Sequence, residues 1–236
     1  MLKITNFSKT YGNGKKKAVD KLNLEVKSGE IYGFIGHNGA GKTTTIKSIV
    51  GINEFESGDI KIDNVSIKEN PIECKRKIAY IPDNPDVYLS LTGISYLNFV
   101  ADIFEISKEE RETQIAKYCD IFEITSNLGD LISSYSHGMR QKLLIVSALI
   151  HKPKLLFLDE PFVGLDPKSS FALKKIMKQL CKDGLSIFFS SHVLEVVEKL
   201  CDRVGIIKEG KLVFDKEVSK IKKKDSLESI FMEIND

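Results

Sequence analysis

The segment Gly36-His37-Asn38-Gly39-Ala40-Gly41-Lys42-Thr43, with Thr44 next, fits the spacing G-x-x-x-x-G-K-[ST]. It follows the apolar run Ile31 to Ile35 and precedes Ile46, Ile49 and Val50, which recur at helical spacing. The glycines let the backbone curl so that several N–H groups face one point, and the following helix aims its positive end at the same place. Lys42 then reaches the outer phosphates of a nucleoside triphosphate, and the Thr43 hydroxyl is a ligand for Mg²⁺. A second constellation is Leu155-Leu156-Phe157-Leu158-Asp159-Glu160, an apolar run ending in two carboxylates. Alternation along a strand sends the two side chains in different directions, so one can hold metal while the other handles water. In phosphate-loop enzymes the Asp at such a strand end holds Mg²⁺ through water, which assigns Asp159 to metal and leaves Glu160 to polarise the attacking water.

Between these two segments lies Tyr135-Ser136-His137-Gly138-Met139-Arg140-Gln141. Ser136 is a helix N-cap, Gly138 leaves backbone N–H groups uncovered, and such a helix end attracts an anion. With this segment in view, the chain resembles the ATP-binding subunit of an ABC transporter over almost its whole length. The segment is similar to that family's signature, Leu-Ser-Gly-Gly-Gln, matching at Ser136 and Gly138 and departing at Tyr135, His137 and Met139. The resemblance implies two subunits sandwiching two ATP, with the signature of one facing the γ-phosphate held by the other. It implies further that Gly164-Leu165-Asp166 is the D-loop at which subunits touch. By the same resemblance His192, in Ser190-Ser191-His192, is expected to be the switch histidine that donates to the γ-phosphate, and Tyr11 the aromatic that stacks on adenine. The family's Q-loop glutamine is replaced here by Asp83, after Ile78-Ala79-Tyr80-Ile81-Pro82. Asp83 is an oxygen ligand for Mg²⁺, but shorter than Gln and unable to donate a hydrogen bond; the neighbouring Asn84 offers an amide instead.

The expected sites follow. Nucleotide is bound by Tyr11, by Gly36, His37, Asn38, Gly39, Ala40, Gly41, Lys42, Thr43 and Thr44, and by Ser136 and Gly138. Metal is held by Thr43, Asp159 and Asp83. Glu160 and His192 are catalytic, and the cofactors are ATP and Mg²⁺. His37, His137 and His151 have no support as catalysts.

Around these motifs the turn chemistry and periodicity describe an α/β fold with a helical insertion, and the resemblance implies a phosphate-loop core with a mainly parallel sheet, an N-terminal antiparallel β subdomain and an inserted α-helical subdomain. Short strands are expected at Lys3 to Phe7, Leu22 to Val26, Ile31 to Ile35 and Ile78 to Ile81, with a two-stranded ribbon over Asp59 to Ile67. From Asp83 to about His151 the β signals disappear, and a helix containing Ile115, Tyr118, Cys119 and Phe122 starts at the capping pair Ser107 and Glu110. The α/β rhythm returns with Leu155 to Leu158, Lys168 to Cys181, Ser186 to Phe189 and Val193 to Leu200, then a hairpin over Arg203 to Phe214. The expected division is 1–82 with 152–215 as the ATP-binding core, 83–151 as the helical signature subdomain and 216–236 as a helical tail.

The chain has 236 residues, 42% hydrophobic and 29% charged, a globular composition too apolar for a disordered tail. Its net charge of +2 gives no support to a duplex-binding surface, and no nucleic-acid partner is expected. Four scattered cysteines suggest neither a zinc site nor a disulfide framework. The longest uncharged stretch, Val87 to Ala101, falls short of the roughly 20 residues that a membrane span needs. Met1 to Lys17 lacks the apolar core of a signal peptide and is expected to be part of the mature fold. The resemblance therefore implies a motor subunit, as a homodimer or cassette heterodimer, held peripherally at the cytoplasmic face of the membrane by a separate transmembrane permease. Export is favoured by the signature variant and by the terminal Ser226 to Phe231, which resembles the closing helix of exporter cassettes. The rivals are a soluble ABC ATPase acting on a non-transport partner and a regulatory module without turnover. The presence of Glu160 and His192 counts against the latter.

Overall fold

The computed structural model describes residues 1–12, 16–221 and 226–235. The basic run Lys222 to Lys224, and Lys15, lie outside them. Strands β1 (Leu2–Tyr11) and β2 (Lys16–Val26) pair antiparallel, and β3 (Ile31–Ile35) runs directly into the phosphate loop and helix α1 (Lys42–Ile49). Then follow β4 (Ser57–Ile62), β5 (Val65–Ser66), α2 (Pro71–Arg76) and β6 (Ile78–Ile81). Helices α3 (Gly93–Ile103), α4 (Lys108–Phe122) and α5 (His137–Leu149) occupy the stretch without β signals. Next come β7 (Leu155–Asp159), α6 (Pro167–Lys182), β8 (Ser186–Ser190), α7 (Leu194–Leu200), the hairpin β9 (Arg203–Lys208) and β10 (Lys211–Glu217), and α8 (Leu227–Asn235).

Two sheets result. The antiparallel one has the order β2-β1-β4-β5. The other has the order β10-β9-β3-β8-β7-β6, parallel throughout except for β10 on β9. Every residue of β3, β7 and β8 is buried, which is why these strands read as unbroken apolar runs rather than alternating ones. Alternation nevertheless decides which core each side chain joins. On one face, Tyr32, Phe34, Phe157 and Phe188 pack with centroids 5.2 to 5.7 Å apart, next to Ile46 and Ile49 of α1 and beneath the antiparallel sheet. Burying each such side chain contributes about 1.5–3 kcal/mol. On the other face Leu156, Leu158, Ile187 and Phe189 pack against the helical insertion and α6.

Because β3, β6, β7 and β8 are parallel, their carboxyl ends share one edge. There Asp159 pairs in register with Ser190, and Ile81 with Leu158. That edge lies where strand order reverses around β3, the place at which open α/β sheets hold ligands.

Several elements differ from the sequence expectations. β1 and β2 are longer than read, because Asn6 and Lys21 adopt positive φ (49° and 50°) and break the alternation. The Asn23 side chain accepts from Asn6 N at 2.9 Å and stabilises that irregularity. α2 and α3 begin at turn residues, Pro71 and Gly93, and have no separate sequence reading. The Ser107 cap closes only one way: it accepts from Glu110 N, while the Glu110 carboxylate pairs with Lys152. β10 continues to Glu217, two residues into the stretch assigned to the tail. No described helix is long and apolar enough to cross a membrane.

Candidate active site

The phosphate loop can take its path only with glycine at its two ends. Gly41 has φ 115°, and a Cβ there would come within 2.5 Å of Ala18 O; a Cβ on Gly36 would meet Ile207 O at 2.4 Å. Lys42 Nζ folds back to donate to Gly36 O at 2.6 Å and His37 O at 3.1 Å. Burial pulls the Lys42 ammonium down from its usual range, and the nearby Glu160 and Asp159 carboxylates oppose that shift. Ala40 N bonds His37 O, and Gly210 N bonds Ala40 O, so the loop is pinned from within and by the β9–β10 turn.

A cavity of about 360 Å³ opens over this loop. Tyr11, Asn38, Gly39, Gly41, Lys42, Thr43, Thr44, Asp83, Asp159 and Glu160 line it, together with Ala18, which the sequence did not single out. The Tyr11 ring is 45% exposed; its hydroxyl accepts from Asn53 Nδ2 at 3.0 Å and Lys9 Nζ stands 5.2 Å from the ring centroid. Asp83 sits at the mouth, its Oδ1 accepting from Asn84 N at 2.9 Å, while Asn84 does not line the cavity.

Asp159 is 2% exposed. One of its oxygens, Oδ1, accepts from the Ser190 hydroxyl, and the other, Oδ2, has no hydrogen-bond partner. A buried carboxylate oxygen left unpaired is costly, and a cation is the partner that suits it. Among the described residues no group of three or more His, Cys, Asp or Glu forms a metal cage. The donor set therefore fits Mg²⁺, which is held through one or two carboxylates plus substrate phosphates, better than a cation needing an all-protein cage.

Glu160 follows the strand with φ 51°, a conformation costly for a non-glycine residue, and this turns its carboxylate toward His192. Glu160 Oε2 lies 2.9 Å from His192 Nδ1 and 3.4 Å from His192 N, while Glu160 N donates to Ser190 Oγ at 3.3 Å. Ser190 thus braces both carboxylate residues. Its special role was absent from the sequence reading, where only its neighbour's histidine drew attention. Gly36, His37, Asn38 and His192 line an adjoining cavity of about 520 Å³.

Ser136 and Gly138 do not line either cavity. Ser136 caps α5, accepting from Met139 N at 3.3 Å. The two cavities together gather thirteen of the sixteen expected residues; Ala40 lies within the loop but lines neither cavity, and Ser136 and Gly138 stand apart.

Residues 19–163, more than half of the chain, match the family model described as ABC transporter. The chain belongs to the ABC transporter family. It is 40% identical over 226 residues to the bacitracin transport ATP-binding protein BcrA of Bacillus licheniformis, a match covering 95% of this chain and 72% of that protein. It is 37% identical over 213 residues to the linearmycin resistance ATP-binding protein LnrL of Bacillus subtilis, over 90% of this chain and 68% of that one. A solved ATP-binding subunit of an ABC transporter matches with a TM-score of 0.94 at 31% identity over the whole of both chains. The chain is an ABC ATPase with the ATP-binding cassette fold.

In this cassette the segment expected to be the signature, Tyr135 to Gln141, is braced against Gly164 to Asp166 of its own chain. The His137 ring lies over Gly164, where an added Cβ would come within 2.3 Å of His137 Cδ2, and a Cβ on Gly138 would meet Gly164 O at 2.8 Å. Lys142 Nζ pairs with Asp166 Oδ2 at 3.0 Å. Asp166 also caps α6 through Ser169, and these bonds hold its carboxyl below the usual carboxylate range. His151 is structural: it stacks on Phe104 at 3.8 Å, bonds Ile78 O, and burial lowers its pKa.

Proposed function

We propose that this ABC ATPase is the motor subunit of a membrane exporter, working as a dimer that closes around two Mg-ATP. The observation that carries this reading is the separation of Ser136 from the cavity that holds Lys42 and Asp159. One chain supplies the floor of the site, and a second chain supplies the signature. In this reading Tyr11 stacks on adenine, the loop from Gly36 to Thr44 binds the phosphates, and Thr43, Asp159 and Asp83 serve the metal. When bound, Mg²⁺ neutralises the phosphate oxygens and orients them. Glu160 removes a proton from the attacking water, and the Oε2 contact with His192 keeps the carboxylate aimed. His192 in turn orients the γ-phosphate, and Ser136 and Gly138 of the partner offer the start of α5 to it.

Permease docking is supported by exposed apolar residues beside the Asp83 loop: Tyr88 (59% exposed), Leu89, Phe99 and Ile103. A contiguous patch of that kind marks a protein interface. The relatives named for bacitracin transport and linearmycin resistance support export of an antimicrobial compound, with the chain peripheral at the cytoplasmic face. The division into a core of 1–82 with 152–215, a helical part of 83–151 and a tail then corresponds to motor, coupling element and closing segment. The test is purification of the tagged chain from native membranes in detergent, with mass spectrometry of what accompanies it. A multispan protein that raises ATPase turnover is expected; ribosomal or other soluble partners alone would contradict the reading.

A further inference from the structure

Tyr80 is the one aromatic of β6, and its hydroxyl is buried without a hydrogen-bond partner. Tyr80 pairs in register with Phe157 on the adjacent parallel strand β7. Register partners share a face, and Asp159, two residues beyond Phe157, is on that face too. The same face carries α1 and so the start of the phosphate loop's helix. Two orphaned oxygens, Tyr80 Oη and Asp159 Oδ2, therefore stand on the same face of neighbouring strands, Asp159 lining the cavity and Tyr80 outside its lining. The carboxylates whose charges reach the Tyr80 hydroxyl are those of Asp159 and Asp83.

We propose that Tyr80 is a positioning residue for the metal, its hydroxyl and Asp159 Oδ2 together receiving the two protons of one water that hydrates the Mg²⁺ carried in with ATP. A water in that position is a strong donor because the cation polarises it, and both orphaned oxygens can accept. Both buried groups then gain partners only when Mg-ATP is bound. The inference rests on the reading of Asp159 as the metal-side carboxylate.

Tyr80→Phe removes the hydroxyl and nothing else, and an unpaired buried hydroxyl contributes no bond to the nucleotide-free chain. The experiment measures ATP affinity of the full chain by equilibrium titration, in EDTA and in saturating Mg²⁺, alongside melting without nucleotide. Expected for Tyr80→Phe are an unchanged affinity in EDTA, an unchanged or raised melting temperature, and a gain from Mg²⁺ about 10-fold smaller than in the wild type. An undiminished Mg²⁺ gain would overturn the proposal, as would a fall in melting temperature with that gain intact. Asp159→Ala separates the two layers. If it loses the Mg²⁺ gain while Tyr80→Phe keeps it, the Tyr80 inference alone fails; if it too keeps the gain, the reading of Asp159 fails.

Discussion

The carboxyl edge of the parallel sheet and the start of α5 carry the two halves of the expected chemistry and are built differently. At the sheet edge, register fixes the groups: Asp159 opposes Ser190, Ser190 bonds both carboxylate residues, and Lys42 is tied to the loop it closes. At the start of α5, Ser136 makes one capping bond and is otherwise turned outward. Beside it, His137 and Gly138 lie close against Gly164, in the loop before α6. The first region is braced by its own side chains, whereas the second is an exposed helix start held by a single cap. In the proposed dimer, a site divided in this way makes turnover depend on assembly.

The largest expected effect is at the sheet edge. Glu160→Gln keeps the shape and the contact with His192 but cannot accept a proton, so turnover should fall by about 10² to 10⁴ while ATP binding persists. Steady-state phosphate release and nucleotide titration read the two quantities, and full activity would remove Glu160 from the chemistry. Trapped ATP should also shift this variant toward a dimer on size exclusion.

Lys42→Ala should weaken ATP binding itself by about 10- to 100-fold, the loss of a charge-assisted bond to phosphate. Titration with a fluorescent nucleotide measures it. Near-native affinity would mean that the preorganised loop is not what holds the triphosphate.

The smallest effect belongs to the mouth of the cavity. Asp83→Ala should raise the Mg²⁺ concentration for half-maximal ATPase several-fold, of the order expected for one oxygen ligand or its water, and Asp83→Gln should recover much of it. Asn84→Ala should change little, since Asn84 does not line the cavity. The reverse order of the two alanine variants would move the metal-sensing role to Asn84.

What was legible in the sequence follows the same contrast. The phosphate loop, the Asp159-Glu160 pair and the buried strands could be read because local spacing dictates them, and the strands announce burial on both faces. Ser190 could not, because its importance arises from register between β7 and β8, which no local pattern encodes. Ala18 enters the cavity wall through the close approach of β2 to Gly41, again a tertiary fact. In the N-terminal strands the positive φ values at Asn6 and Lys21 hid the alternation on which strand reading depends. His137 looked like a plain departure from the family signature, and only the fold reveals that its ring lies on Gly164.

Mixing two dead variants tests the divided site most directly. Ser136→Arg should bind ATP normally and not turn over, because its defect falls on the partner's nucleotide; Lys42→Ala lacks the phosphate grip of its own site. In a mixed dimer both defects can fall on one composite site, leaving the other with all its groups. Phosphate release from the mixture should rise above that of either parent, approaching half the wild-type rate per mixed dimer when one intact site suffices. A mixture as inactive as its parents, under conditions where size exclusion detects mixed dimers, would contradict a site that is completed independently by each pair of halves.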